Sequence, residues 1–306
     1  MDTAIRTQSL TKRFGNLTAV DSLDIEVPVG SVFGLLGPNG AGKTTTFSMI
    51  CGFIRPSNGD AWVLGERLAN LGRVINRLSA LPQDARFHPS RKVGDVLNYF
   101  ARMGGMDRAL AKSEVSRVLD AVGMTDAANM RGNTLSHGMA KRLGLAQAFL
   151  GKPDLVLLDE PTEGLDPKSA HTIREIIKTL ATQHTTVLIS SHNLAEVQEL
   201  CDHAAIIDHG RLVRTGSLAD LTMTNEVVII TLGQDSPDPT QYIADQPGVK
   251  DVQKKDNRLR VTFNPVDGEP VETMVTLIIR TAIENGAYIG EVSRGSGLEE
   301  RYLELT

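Results

Sequence analysis

Residues 37–45 read Gly37-Pro38-Asn39-Gly40-Ala41-Gly42-Lys43-Thr44-Thr45, and no other stretch constrains this chain as tightly. They fit the phosphate-loop pattern G-x-x-x-x-G-K-[ST] in the context it needs: the apolar run Val32–Leu36 precedes it and a helix-compatible stretch, Thr44 to Cys51, follows. Glycines let successive backbone N–H groups converge on an anion, and a helix N-terminus adds unpaired donors and a favourable dipole. Lys43 brings a mobile positive charge to the β- and γ-phosphates, and the Thr44 hydroxyl is a ligand for Mg²⁺. The chain is expected to bind a nucleoside triphosphate.

Composition narrows what it does with one. At 306 residues, 23% charged and 41% hydrophobic, the chain has room for one large or two ordinary soluble domains. No run approaches the roughly eighteen apolar residues of a membrane span, and the first residues lack the apolar core of a signal peptide. Cys51 and Cys201 show no metal spacing and no disulfide framework. Residues 220–306 hold 8 Lys and Arg against 15 Asp and Glu, while the remainder is near balance with 24 against 22. Neither part is a basic nucleic-acid platform, so no nucleic-acid partner is expected. The acidic surface also disfavours anionic lipid, so membrane contact is expected only through a protein partner.

Patterning divides the chain at about residue 219. Ile5–Leu10, Leu23–Val27, Ser31–Leu36 and Asp60–Leu64 read as strands, with Trp62 as a packing residue. Val96, Leu97, Phe100, Ala101 and Met103, and then Val115, Val118, Leu119 and Val122, recur at helical spacing, so residues 93–122 read as a helical insertion. Ala140–Leu150 reads as a further helix. Leu155–Leu158 is a continuous apolar run, as for a strand covered on both faces. A helix over Lys168–Ala181, a strand over Thr185–Ser190, a helix at Leu194–Cys201 and a hairpin of Ala204–Asp208 with Arg211–Arg214 complete the first part. In 220–306, strands at Val227–Leu232, Val249–Lys254, Arg258–Phe263 and Ala287–Val292 alternate with helices at Thr240–Gln246, Val271–Asn285 and Leu298–Leu305. That pattern is a small α+β domain.

Asp159 ends the apolar run and Glu160 follows it. The carboxyl end of a buried parallel strand is the ligand side of such a sheet, where Asp159 could support Mg²⁺ and Glu160 could polarise water. Taken alone, the pair could equally be caps or solvated acids. His192 follows the next strand and reads either as a γ-phosphate contact or as a structural histidine. Gln83, after Leu78–Pro82, is a possible sensor of metal and water. Ser136 and the N–H groups beside it are an anion site in principle or an ordinary helix N-cap.

In this order, the phosphate loop, Gln83, Leu135-Ser136-His137-Gly138-Met139, Asp159-Glu160, Gly164-Leu165-Asp166 and His192 resemble the ATP-binding subunit of an ABC transporter of the exporter (ABC-2) type, whose permease is a separate chain. The likeness covers residues 1–219, and the tail ending Gly297–Leu305 is similar to the small C-terminal domain of these exporters. The resemblance implies an α/β P-loop NTPase fold: a mixed sheet core, an antiparallel β subdomain and a helical subdomain at about 86–150, with the small α+β domain at 220–306. It implies ATP and Mg²⁺ as ligands. Residues 37–45, with Lys43, Thr44 and Thr45, would cradle the triphosphate, with Phe14 stacking on the base. Thr44, Gln83 and Asp159 would face the metal, with Gln83 also linked to the permease. Glu160 would be the catalytic base and His192 the switch histidine. Ser136 and Gly138 would close over nucleotide held by a second copy of the chain, and Asp166 would shape that dimer contact. The resemblance further implies a transmembrane permease, with residues 93–150 and the surface near Gln83 docking it, and a peripheral position on the cytoplasmic face of the inner membrane.

Three positions depart from the family pattern. Phe14 stands where a tyrosine is usual, His137 where the signature has its first glycine, and Met139 where it has glutamine. A titratable ring at 137 could add pH sensitivity, and Met139 removes an amide hydrogen bond. The alternative function is a soluble or regulatory ABC ATPase not coupled to transport. The soluble forms carry paired ATP domains or long coiled coils that this chain lacks, and the intact Lys43, Asp159, Glu160 and His192 argue against a degenerate one.

Overall fold

A computed structural model describes residues 2–85, 87–181, 185–222, 227–264 and 270–294. The helix expected at Leu298–Leu305 lies outside them. The chain divides into two compact units, Met1–Leu218 and Ala219–Thr306.

The first unit opens with β1 (Thr3–Phe14), β2 (Leu17–Leu23) and β3 (Glu26–Pro28), followed by β4 (Val32–Leu36) and α1 (Lys43–Ile50). The sequence pattern suggested a single strand over Leu23–Val27 and none between it and Ile5–Leu10. Instead the chain bends between β2 and β3. Asp24 Oδ1 accepts from Ser9 N at 2.5 Å, and Ser9 and Ser22 take left-handed backbone conformations with φ of 47° and 51°. The buried Thr7 hydroxyl joins the two pieces, donating to Leu23 O and accepting from Ile25 N, both at 2.8 Å. Thr7→Val strands both backbone groups, so the urea midpoint should fall by the equivalent of about 1–3 kcal/mol with the slope unchanged. β5 (Asn58–Val63) and β6 (Glu66–Arg67) complete an antiparallel sheet of order β2-β1-β5-β6, with β3 also paired to β1. On it, Trp62 packs against the Arg6 and Arg67 guanidinium groups, 5.7 and 5.8 Å from its ring centroid.

β7 (Leu78–Leu81) precedes three helices, α2 (Val93–Met103), α3 (Arg108–Ala121) and α4 (His137–Ala148). Leu97, Ala101, Val115, Val118, Leu119 and Val122 are buried, in line with the helical periodicity of this stretch, whereas Phe100 and Met103 of the same pattern are exposed. The α/β order then resumes with β8 (Leu155–Asp159), α5 (Pro167–Leu180), β9 (Thr186–Ser191), α6 (Leu194–Leu200), β10 (His203–Asp208) and β11 (Arg211–Ser217). Every residue of β8 and β9 is buried. The second sheet has the order β11-β10-β4-β9-β8-β7 and is parallel except at β11, which returns antiparallel from β10 across His209-Gly210 as expected. One core, including Leu10, Val20, Phe33, Phe47, Met49, Leu157 and Leu188, serves both sheets.

This strand order is what builds a site. Leu36 pairs with Ser191, Asp159 with Ser190, and Leu158 with Leu81. Segments from four distant parts of the chain therefore end side by side at the carboxyl edge of the sheet.

A short helix, α7 (Leu218–Thr222), precedes the strands and helices of the second unit: β12 (Val227–Leu232), α8 (Thr240–Ala244), β13 (Val249–Lys255), β14 (Arg258–Phe263), α9 (Val271–Glu284) and β15 (Ile289–Arg294). They form an antiparallel sheet of order β13-β14-β12-β15. Alternate residues Val228, Ile230 and Leu232 share a core with Leu259, Val261, Phe263, Ile243, Met274, Ile278 and Ala282. The β13–β14 hairpin turns at Asp256-Asn257, with Asp256 at φ 54°. Among the described residues no helix is long and apolar enough to cross a membrane.

Candidate active site

The loop of residues 37–42 connects β4 to α1 and is shaped by its glycines. Gly42 caps α1 at φ 98°, and a Cβ there would lie 2.5 Å from Ala19 O. A Cβ on Gly37 would lie 2.3 Å from Ile207 O. No other residue fits either place without moving backbone.

Lys43 is 5% exposed, and its ammonium donates to Gly37 O at 2.8 Å and Pro38 O at 3.1 Å. Its Nζ also lies 3.2 Å from Glu160 Oε1. The other carboxylate oxygen, Glu160 Oε2, is 2.9 Å from His192 Nδ1. Glu160 is thus held between an ammonium and an imidazole, with 5% of its surface exposed. Its backbone N–H donates to Ser190 O and Ser190 Oγ, each at 3.1 Å, and its φ is 47°. A left-handed glutamate at a strand end is strained, and such strain clusters at functional sites.

Asp159 is 2% exposed. Its Oδ1 accepts from the Ser190 hydroxyl and from Thr44 Oγ1, the latter at 3.4 Å. Burial raises its pKa, partly offset by these hydroxyls and by Lys43, and the Glu160 charge raises it further. Two adjacent buried carboxylates with the Thr44 hydroxyl, and the Gln83 amide in the wall of the neighbouring cleft, supply hard oxygen donors of the kind that suits Mg²⁺.

A cleft of about 310 Å³ is lined by Phe14, Asn39, Gly40, Gly42, Lys43, Thr44, Thr45, Gln83, Glu160 and Glu163, together with Leu17 and Ala19. Phe14 is half exposed at its mouth, with Lys12 Nζ 5.1 Å from the ring centroid. Gln83 Nε2 donates to Glu163 Oε2.

Ser136, Gly138 and Asp166 do not line this cleft. Ser136 is the N-cap of α4, its hydroxyl accepting from Met139 N at 3.3 Å. The helix therefore begins at His137 rather than at Ala140, where apolar spacing alone put it; the cap supplies a first turn that needs no apolar residue. Asp166 caps α5, accepting from Lys168 N at 3.1 Å and Ser169 N at 3.0 Å. The Ser169 hydroxyl, 2.6 Å away, leads these bonds in lowering its pKa.

Three polar residues of this region were given no role by the sequence pattern. Glu163 lines the cleft. Lys141 on α4 donates to Gln83 O at 3.2 Å and Glu160 O at 3.5 Å. Glu196 on α6, 2% exposed, accepts from Ser191 Oγ at 2.6 Å and Thr162 Oγ1 at 2.7 Å and so ties α6 and the end of β9 to the loop after β8. Burial raises the Glu196 pKa against those two hydroxyl bonds. Cys51 and Cys201 are buried free thiols, and burial pushes the Cys51 pKa up to about 12, so neither is a nucleophile here. A separate exposed cluster, His171, Glu175 and Glu199, is already countered by Lys178 and Arg174.

The family profile described as ABC transporter matches residues 20–163. The daunorubicin/doxorubicin resistance ATP-binding protein of Streptomyces peucetius is 38% identical over 219 residues, 71% of this chain and 66% of that protein. The Nod factor export ATP-binding protein I of Ralstonia nicotianae is 32% identical over 303 residues, 98% of this chain and 92% of that protein. Among solved structures, an ATP-binding subunit of an ABC transporter superposes with a TM-score of 0.65 at 26% identity, covering 72% of this chain and 92% of that one.

Proposed function

This chain belongs to the ABC transporter family as an ATP-binding subunit of the exporter type, and from that premise we propose how its residues divide the work of an ATP-hydrolysing motor. It hydrolyses ATP to ADP and phosphate. The observation that carries the division of roles is the placement of Glu160 between Lys43 and His192 at the wall of the phosphate-loop cleft.

Bound triphosphate takes the place of Glu160 as the principal counter-charge of Lys43, and the loop amides with the α1 N-terminus hold the β- and γ-phosphate oxygens. Glu160 then accepts a proton from the attacking water, whose oxygen bonds to the γ-phosphorus as the bond to the bridging β–γ oxygen breaks. His192 fixes the Glu160 carboxylate and faces the γ-phosphate. Mg²⁺, held by Thr44 and Asp159 with Gln83 beside them, would supply charge neutralisation across the phosphates. Phe14 offers an aromatic face to the base.

Ser136, outside the cleft of its own chain, completes the site from a second copy. The α4 N-terminus supplies oriented donors to the γ-phosphate of the partner, so ATP bridges two copies and hydrolysis removes the bridge. The motor drives a separate transmembrane permease at the cytoplasmic face of the cell membrane, and the unit 219–306 is the accessory domain of exporter-type subunits. Ser136→Asp separates the phosphate role from the capping role, because aspartate caps a helix as well as serine but repels phosphate. In a Glu160→Gln background, Ser136→Asp should raise the ATP concentration needed for dimer formation by at least about 10-fold. Single-chain ATP binding should be unaltered. Unimpaired dimerisation of the aspartate variant in sedimentation runs would remove Ser136 from the shared site.

A further inference from the structure

We propose that Glu163 and Lys141 are positioning residues for Gln83: Glu163 dictates which end of the Gln83 amide faces the nucleotide cleft, and Lys141 ties that choice to the signature helix α4. The inference rests on the reading of Gln83 as a metal-facing amide.

A glutamine amide has a donating end and an accepting end of nearly the same shape, and only the oxygen can ligate a cation. A carboxylate only accepts. The contact of Gln83 with Glu163 therefore commits the Nε2 end to Glu163 and leaves Oε1 as the end available to the cleft. Without an acceptor-only neighbour the amide could flip and present N–H groups to a metal, which repel it. Glu163 shares the cleft wall with Lys43, Thr44 and Glu160, so the partner that sets the amide belongs to the same wall as the phosphate-facing groups.

Lys141 holds the same residue by its other handle. Its ammonium donates to the backbone carbonyls of Gln83 and Glu160, 3.2 and 3.5 Å away, and so joins three elements: the loop after β7, the end of β8 and the helix that Ser136 caps. Gln83, His137 and Lys141 also line a second cavity, of about 380 Å³, between residues 81–85 and α4. Gln83 thus stands in the partition between the nucleotide cleft and the signature helix. Burial lowers the Lys141 pKa, while the carboxylates of Glu163, Asp84, Asp159 and Glu160 oppose that shift. The ammonium is thus anchored among the acids of both loops rather than free in solvent.

The experiment uses the full chain and reads the amide directly. In nucleotide-free protein, Glu163→Gln should shift the side-chain amide resonances of Gln83, identified by their loss in Gln83→Glu. The Mg²⁺ concentration for half-maximal ATPase should rise about 10-fold, the worth of one charge-assisted hydrogen bond, while ATP affinity in EDTA stays unchanged. The exchanged pair, Gln83→Glu with Glu163→Gln, restores the donor–acceptor match and should recover the Mg²⁺ dependence. Lys141→Arg should retain kcat, whereas Lys141→Met should lower kcat at unchanged KM for ATP. Unmoved Gln83 resonances together with unchanged Mg²⁺ dependence in Glu163→Gln would overturn the proposal. If the resonances move but Gln83→Ala keeps the normal Mg²⁺ dependence, the positioning holds and the metal-facing reading of Gln83 fails.

Discussion

Glu160→Gln should abolish turnover while leaving nucleotide binding intact or tighter. The carboxylate is the nearest base to the phosphate-facing ammonium, at 3.2 Å from Lys43 Nζ, and its second oxygen is already oriented by His192. Removing a positioned general base costs about 10²- to 10⁴-fold in rate. The amide keeps the shape and can still accept from His192, so the fold of the site should persist. It no longer neutralises Lys43, however. The buried ammonium then lacks a full counter-charge until a triphosphate arrives, so ATP should raise the melting temperature of the variant more than that of the wild type. Two measurements decide the matter, phosphate release and the ATP-induced thermal shift. Ordinary phosphate release would remove Glu160 from the role of base. An unchanged thermal shift would show that its charge does not compete with nucleotide.

Lys43→Ala should have the opposite profile, with binding lost before chemistry is reached. The ammonium is held at the cleft wall by the loop carbonyls and Glu160. Charge-assisted hydrogen bonds to phosphate oxygens contribute about 1.5–3 kcal/mol each, and losing one or two weakens ATP binding by roughly 10²-fold. The substitution also leaves Glu160, beside Asp159, without its ammonium partner, and the resulting repulsion opposes a polyanion still further. Lys43→Arg should not rescue, because a planar fork does not fit a pocket built around a point charge. Titration with a fluorescent ATP analogue is the direct readout. Affinity within threefold of wild type would mean that the loop amides alone carry the triphosphate.

The sequence disclosed those residues whose chemistry depends on local spacing. The phosphate loop is a nine-residue unit in which Gly42 and Gly37 answer to contacts with Ala19 and Ile207, and the pattern is visible without knowing either contact. Asp159 and Glu160 were legible because an unbroken apolar run announces a buried parallel strand, and its end is where ligands bind. The order of the strands was not legible from patterning alone, since hydrophobic runs specify burial and not neighbours. The roles of Glu163 and Lys141 were not legible for the same reason. Their partners lie 80 and 58 residues away, brought near only by the pairing of β7 with β8 and by the packing of α4 beside β7. β2 was missed because it is rich in polar residues, Thr18, Asp21 and Ser22, and because its buried Val20 and Leu23 lie three residues apart, the left-handed Ser22 breaking the alternation.

The left-handed backbone at Glu160 has a consequence for how this motor can drift. Asparagine, aspartate and glycine sit at such a φ with less strain than glutamate does. Several of the simplest changes at this position therefore relieve the main chain while silencing the reaction. Only the demand for turnover keeps the longer acid in place, and a descendant freed from that demand would be expected to settle into a sturdier, inert form.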